Sequence, residues 1–226
     1  MTLALYNVLI SAISVVYVFT VVAIMDFAVR KGFPSDISRK VIHIAAGCWL
    51  LFWFFFDDLH VTKYLNILPA AIWTVLLLTK GLTAKHDDEA VKTMTRTGDK
   101  SELLRGPLYF TIIMMLAGTV FYKTEAALTA MGILAWGDGL APIAGSRFGK
   151  LKYNLVTEKT IEGSITFFIF GFLGAMFFNY FILGRFDAGL ILVSVIVSTI
   201  VEALSPKDFD NLLIPFVCFI IYYLVY

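Results

Sequence analysis

Residues 161–184 read IEGSITFFIFGFLGAMFFNYFILG, a run of 24 residues whose one charged side chain is Glu162. About 20 consecutive apolar residues cross the hydrocarbon core of a bilayer as an α-helix. Seven more apolar runs lie around it, at 3–29, 41–56, 64–82, 106–122, 126–146, 186–204 and 211–226. The run at 41–56 is short, and that at 126–146 is broken by Gly137, Gly139, Pro142 and Gly145. The expected fold is all-α: a polytopic transmembrane helical bundle of about eight spans, with residues 1–226 forming a single integral membrane domain.

Composition agrees. Apolar residues make up 59% of the chain and charged residues 15%, with a mean hydropathy of +0.84. A soluble domain carries nearer a quarter charged residues, so a water-facing globule is excluded. The 18 Lys and Arg nearly balance the 17 Asp and Glu, which leaves no basic surface for nucleic acid. Cys48 and Cys218 both lie inside apolar runs, away from any zinc or disulfide spacing. The first run is too long for a signal-peptide core and lacks a basic start, so it reads as a true span. No transit-like leader is visible, which favours a plasma membrane or endomembrane. The one long polar stretch, 83–105, reads as a solvated cytoplasmic loop carrying a helical turn or two; His86 within it and His60 in the 57–63 connection read as solvated loop residues.

Orientation follows from the basic residues. Counted over successive connections, 15 of the 18 Lys and Arg fall in alternate loops, at 30–40, 80–105, 147–160 and 205–210. The positive-inside rule places these loops in the cytoplasm and both termini on the opposite side. The ionisable residues near the apolar runs then collect at cytoplasmic helix ends. Asp138 stands in the glycine-broken span, within about three turns of Arg147. Glu162 follows Lys159 by three residues, on the same helical face. Glu202 is near the end of its span, Asp210-Asn211 open the last, Arg39, Lys40 and His43 begin the second, and Arg105-Gly106-Pro107 begin the fourth.

A charge at mid-membrane costs about 2.5–3.5 kcal/mol and needs a partner or a wet cavity. Carboxylates suit Mg²⁺ that bridges phosphates, Lys and Arg neutralise phosphate oxygens, and glycines let backbone approach a ligand. An isolated Lys or Arg at a helix end is more often a snorkelling anchor, and Asp26 reads as an interfacial cap. Anchors are rarely acidic, so Asp138 and Glu202 carry the functional reading. Gly145-Ser146-Arg147-Phe148-Gly149-Lys150 is not a phosphate-binding P-loop. Its glycine spacing is one short, Leu151 replaces Ser or Thr, and it follows a membrane helix. A transporter would spread its carboxylates through the membrane depth, whereas here they gather at one end.

The order of these motifs resembles the CTP-dependent lipid kinases, which include phytol kinase, dolichol kinase and a CTP-using diacylglycerol kinase. The resemblance covers 39–215. It rests on Arg39-Lys40-Val41-Ile42-His43, Arg105-Gly106-Pro107-Leu108-Tyr109, Gly137-Asp138-Gly139-Leu140-Ala141 and Gly145 to Lys150. Lys159-Thr160-Ile161-Glu162-Gly163-Ser164, Val201-Glu202-Ala203-Leu204 and Asp210-Asn211-Leu212 complete it. The compact length is closest to the phytol kinase branch. Departures are Pro142 after Ala141 and a single aspartate directly before Asn211.

The resemblance implies transfer of the γ-phosphoryl group of CTP to the hydroxyl of a membrane lipid alcohol, of the phytol, geranylgeraniol or polyprenol class. Asp138 would hold Mg²⁺, helped by Asp210 or Glu202. Lys159, Arg147 and Lys150 would hold the nucleotide phosphates, with Arg39 and Lys40 closing from the second span. Arg105, Gly137, Gly145, Gly149, Gly163, Ser164 and Asn211 complete the nucleotide-binding set. Glu162 or His43 would orient the alcohol proton. The related phosphatidate cytidylyltransferases, which make a CDP-lipid, are the alternative; their C-terminal histidine-containing signature is missing between Glu202 and Pro215.

Overall fold

The computed structural model describes residues 2–85 and 88–226, so the expectation for His86 and for Asp87 in the loop lies outside the described residues. Each of the eight apolar runs carries a helix. The first unit, Met1–Val120, contains α1 (Leu3–Arg30), α2 (Ser35–Gly47), α3 (Leu68–Thr83), α4 (Glu89–Met94) and α5 (Gly106–Thr119). The second, Phe121–Tyr226, contains α6 (Glu125–Gly132), α7 (Gly139–Phe148), α8 (Ile161–Leu183), α9 (Ala188–Leu204) and α10 (Asp210–Val225). Among the described residues five helical stretches are long and apolar enough to cross a membrane: Leu3–Arg30, Ser35–Phe55, Val61–Thr83, Glu125–Phe148 and Ile161–Leu183. Ala188–Leu204 and Asp210–Val225 are apolar but shorter.

The short second run gains its length from geometry. α2 begins at Ser35, ahead of the apolar residues, and continues as a 3₁₀ helix over Cys48–Phe55. A 3₁₀ helix rises about 2.0 Å per residue against 1.5 Å in an α-helix, so eight residues cover about 16 Å instead of 12. Several buried polar groups in this unit are paired within it, which offsets the cost of keeping them from water. Asn7 Nδ2 donates to the Asp57 carbonyl at 3.0 Å while Asn7 Oδ1 accepts from Asp57 N at 2.8 Å. Trp49 Nε1 donates to the Asn66 carbonyl at 2.7 Å, and Asn66 Nδ2 donates to Gly118 O at 2.9 Å. His60 caps the 3₁₀ helix Val61–Ile67 through Nδ1, so it has a structural task and is not simply solvated.

The polar stretch 83–105 departs from a solvated loop as well. It holds α4 and a 3₁₀ turn, Lys100–Leu104, and buries Val91, Met94 and Leu103 against Leu77. Its charges are tied locally: Lys80 pairs with Asp88 at 2.6 Å, and Arg30 joins Asp26 at 2.8 Å to Glu89 at 2.6 Å.

In the second unit α6 runs into a π-helical segment, Ile133–Asp138, and then into α7. Nearly every residue from Ala126 to Asp138 is buried. The widened turn fits Pro142, which has no N–H to offer the Asp138 carbonyl four residues earlier. α8 packs antiparallel along this rod through small residues on both sides. A methyl group at Gly132 would lie 2.6 Å from the Ala175 nitrogen, and one at Gly137 would lie 3.0 Å from the Phe167 carbonyl. Helix backbones approach this closely only where side chains are absent. α8 starts on Thr160, whose Oγ1 accepts from Gly163 N at 3.1 Å, and ends on Gly184 with φ of 69°.

The all-α expectation needs one correction. β1 (Lys152–Asn154) and β2 (Glu158–Thr160) form an antiparallel hairpin between α7 and α8, with Lys152 opposite Thr160, Tyr153 opposite Lys159 and Asn154 opposite Glu158. Strands of three residues leave too little alternation for the pattern to be read from sequence.

Candidate functional site

At one end of the second unit the C-terminus of α7, the hairpin, the N-terminus of α8, the C-terminus of α9 and the N-terminus of α10 meet. Two side-chain links define this end. Lys159 Nζ lies 2.5 Å from Glu202 Oε1 and also donates to the Glu202 main-chain carbonyl. The two side chains are 17% and 10% exposed, so the pair is held out of water. Glu162 accepts from the main-chain amide of Lys150 at 2.9 Å and from that of Leu151 at 3.4 Å. A carboxylate in the first turn of α8 thereby fastens the chain that leaves α7, and the helix N-terminus favours its charge.

Asp138 sits deeper. It is 3% exposed, at the end of the π-helical segment, about 13 Å along the helix axis from Arg147. Its neighbour Gly137 meets α8 at Phe167 and Gly171. An ionisable side chain at such a place in an apolar helix is a functional candidate by default. Asp210 opens α10, its Oδ1 accepting from Asn211 N at 2.9 Å. Asn211 is buried, and its Oδ1 has no hydrogen-bond partner among the described residues. Arg147 and Lys150 are exposed at the end of α7, where basic side chains face the negative end of the helix dipole.

The glycines named in the sequence are occupied by helix packing. A methyl group at Gly145 would stand 2.8 Å from Thr160 Oγ1, and one at Gly163 3.2 Å from the Ala141 carbonyl. Gly149 closes in the same way on Gly145 and Thr160. With Gly137 they hold α7 against α8, and this close approach accounts for them without a ligand. Ser164 shares a hydrogen bond of 2.6 Å with the Tyr153 hydroxyl.

The remaining sequence-named residues belong to the first unit. Arg39 and His43 lie one turn apart on α2, Lys40 between them is 7% exposed, and Arg105 precedes the first turn of α5. The His43 ring packs on Phe110, centroids 4.2 Å apart, which brings the Arg39–His43 and Arg105–Tyr109 motifs onto adjoining helices.

Among the described residues no three His, Cys, Asp or Glu side chains converge on one metal position. Asp138, Glu202 and Asp210 are therefore not a ready three-carboxylate cage. Mg²⁺ does not need one, since it keeps several waters and is held by one or two carboxylates together with substrate phosphates. The buried Asp138 carboxylate and the Asn211 amide oxygen fit that looser holding. Two residues escaped the sequence reading. Asp208 is 8% exposed with φ of 70°, a left-handed conformation uncommon outside glycine. Its signal was the Asp208-Phe209-Asp210 spacing at a turn between apolar runs. Tyr153, opposite Lys159 in the hairpin, left no signal beyond the polar setting around it.

These features define a helical membrane protein whose second unit gathers acidic and basic side chains at one end. No family model and no solved structure matches the chain. Curated relatives do. A protein of Arabidopsis thaliana named farnesol kinase, chloroplastic, is 33% identical over 230 residues, 90% of this chain and 73% of its own length. A protein of Oryza sativa subsp. japonica named probable phytol kinase 1, chloroplastic, is 30% identical over 209 residues, 87% of this chain and 67% of its own. Phytol kinase 1, chloroplastic, of Arabidopsis thaliana is 29% identical over 207 residues, covering 86% and 68%. The chain belongs to the lipid kinase family of the phytol and farnesol kinases, enzymes that phosphorylate an alcohol.

Proposed function

We propose that the protein transfers the γ-phosphoryl group of CTP to the hydroxyl of a prenyl alcohol, of the phytol, farnesol or geranylgeraniol class, at the cytoplasmic face of its membrane. The observation that carries this reading is the Lys159–Glu202 pair with Glu162 and Asp210 at one end of the second unit, and the buried Asp138 in the same unit, in a chain related to phytol and farnesol kinases. Phosphoryl transfer asks chiefly for positioning and charge neutralisation, which such a set supplies.

In this reading Asp138, with Asp210 or the Asn211 amide oxygen, would hold Mg²⁺, which when bound would neutralise charge on the nucleotide phosphates. Arg147 and Lys150, exposed at the end of α7, receive the phosphates, and Lys159 adds its ammonium from β2. Glu202 keeps that ammonium oriented. Glu162 holds the amides of Lys150 and Leu151, so it acts as a positioning residue for the phosphate-binding turn. The basic loops support the cytoplasmic assignment through the positive-inside rule.

The test is an assay of the full chain in detergent with Mg²⁺ and γ-³²P-labelled CTP, ATP, GTP or UTP. The acceptors are farnesol, geranylgeraniol, phytol, dolichol and diacylglycerol. Label entering an organic-extractable prenyl monophosphate, fastest with CTP, is the expected result. Label released as pyrophosphate on adding phosphatidate, with none on any alcohol, would replace the kinase by a cytidylyltransferase.

A further inference from the structure

Beside the Lys159–Glu202 pair the second unit carries a cavity of about 440 Å³ between the hairpin, the first turns of α8 and the last turns of α9. Tyr153, Ile161, Ser164, Phe168, Thr199 and Ala203 are among its walls. The wall is almost entirely apolar. The Tyr153 and Ser164 hydroxyls share a hydrogen bond of 2.6 Å, and the Thr199 hydroxyl donates to the Val195 carbonyl at 2.7 Å. A headgroup or a nucleotide would find little to bond there, whereas hydrocarbon would be well matched.

We infer that this groove holds the prenyl chain of the acceptor alcohol, with its hydroxyl end leaving past Tyr153 and Ser164 toward the Lys159–Glu202 pair. The inference rests on the kinase reading above and adds where the acceptor lies. Three observations select this occupant. First, the groove is continuous with the charged end: Tyr153 stands opposite Lys159 in the hairpin, and Ala203 follows Glu202. An alcohol in the groove therefore has its polar end beside the side chains assigned to phosphate. Second, the rim is apolar and open. Ile165 on α8 and Ile200 on α9 are 52% and 55% exposed, apolar helix surface of the kind that faces lipid, and an open rim there gives a chain lateral entry. Third, the groove runs in a definite direction. The Lys159–Glu202 link sets the start of α8 against the end of α9, so Ser164 and Ala203 mark the charged end, and Phe168 and Thr199 the far end. From Ile161 to Phe168 the helix rises about 10 Å, room for the isoprene units nearest the hydroxyl. Longer chains must pass between Phe168 and Thr199.

That passage makes the two residues determinants of chain length. Thr199→Trp narrows it and Phe168→Ala widens it. The experiment measures kcat/KM for geraniol, farnesol and geranylgeraniol with the full chain and both variants in detergent, after gel filtration shows each variant to be monodisperse. The geranylgeraniol-to-geraniol ratio is expected to fall roughly tenfold or more in Thr199→Trp and to rise in Phe168→Ala, the discrimination a hydrophobic pocket gives for small changes of fit. If the parent chain phosphorylates prenyl alcohols and both folded variants keep its length profile, the groove holds bilayer lipid only and the inference is overturned. If the parent chain phosphorylates no alcohol, the kinase reading fails first and the groove assignment falls with it.

Discussion

Replacing Lys159 by methionine tests the charged end of the second unit most directly. The methionine keeps the length of the side chain and removes its charge, leaving Glu202, 10% exposed, without the ammonium 2.5 Å from its Oε1. Removing one partner of a buried pair costs about 3–5 kcal/mol, because the surviving charge stays in a medium that solvates it poorly. Lys159 also donates to the Glu202 carbonyl at the end of α9, so the loss loosens the end of that helix as well. At about 2–4 °C per kcal/mol for a chain of this size, the melting temperature should fall by about 10 °C. Tryptophan fluorescence of the protein in detergent follows the melt. The double variant Lys159→Met with Glu202→Leu removes both charges and should return to within about 1 kcal/mol of the parent, since apolar replacement of a buried pair is often neutral. It should nevertheless transfer no phosphate. A comparison is at hand in Lys152→Ala, whose 2.8 Å pair with Glu158 is 63% and 64% exposed and whose loss should leave the melt unchanged. A single Lys159→Met variant that melts with the parent would refute the reasoning, because the pair would then be as solvated as Lys152–Glu158.

Asp138→Asn should abolish phosphoryl transfer while leaving the melting temperature within a few degrees; near-normal turnover would remove Asp138 from metal binding. Gly132→Leu should drive α6 away from α8, where even a methyl group would lie 2.6 Å from the Ala175 nitrogen, and overpacking of this kind costs about 1–3 kcal/mol. Gly189→Leu, with only the Asp187 carboxylate nearby, should melt close to the parent in the same assay. Glu162→Gln should speed hydrogen exchange at Lys150 and Leu151, whose amides donate to its carboxylate, and raise KM for the nucleotide more than it lowers kcat.

Much of the second unit's charged end was legible in the residues. Asp138, Glu162, Glu202 and Asp210 stood out because a carboxylate beside a long apolar run needs a reason, and that need is visible one residue at a time. Their partners were not. Lys159 and Glu202 are 43 residues apart, and both were expected to face the ligand; the structure joins them to each other. Glu162 was read, with His43 as the alternative, as a group for the alcohol proton; that its carboxylate accepts from the main-chain amides of Lys150 and Leu151 was not legible. Gly137, Gly145, Gly149 and Gly163 signalled close approach correctly, but what approaches is another stretch of protein backbone or side chain.

The sequence by itself determined that the chain is helical and apolar, where its long apolar helices lie, and which ionisable residues stand near their ends. These are properties of short windows: burial preference, 3.6-residue periodicity and capping residues such as Thr160 and Asp187 act within a few positions of one another. Only the tertiary structure decided that the run at 41–56 gains length as a 3₁₀ helix, that a hairpin sets Tyr153 opposite Lys159, and that a groove opens between α8 and α9. Helix rotation and crossing are fixed by all the packing contacts along an interface at once. The direction in which each end-of-helix side chain points therefore cannot be read from its own neighbours in the chain.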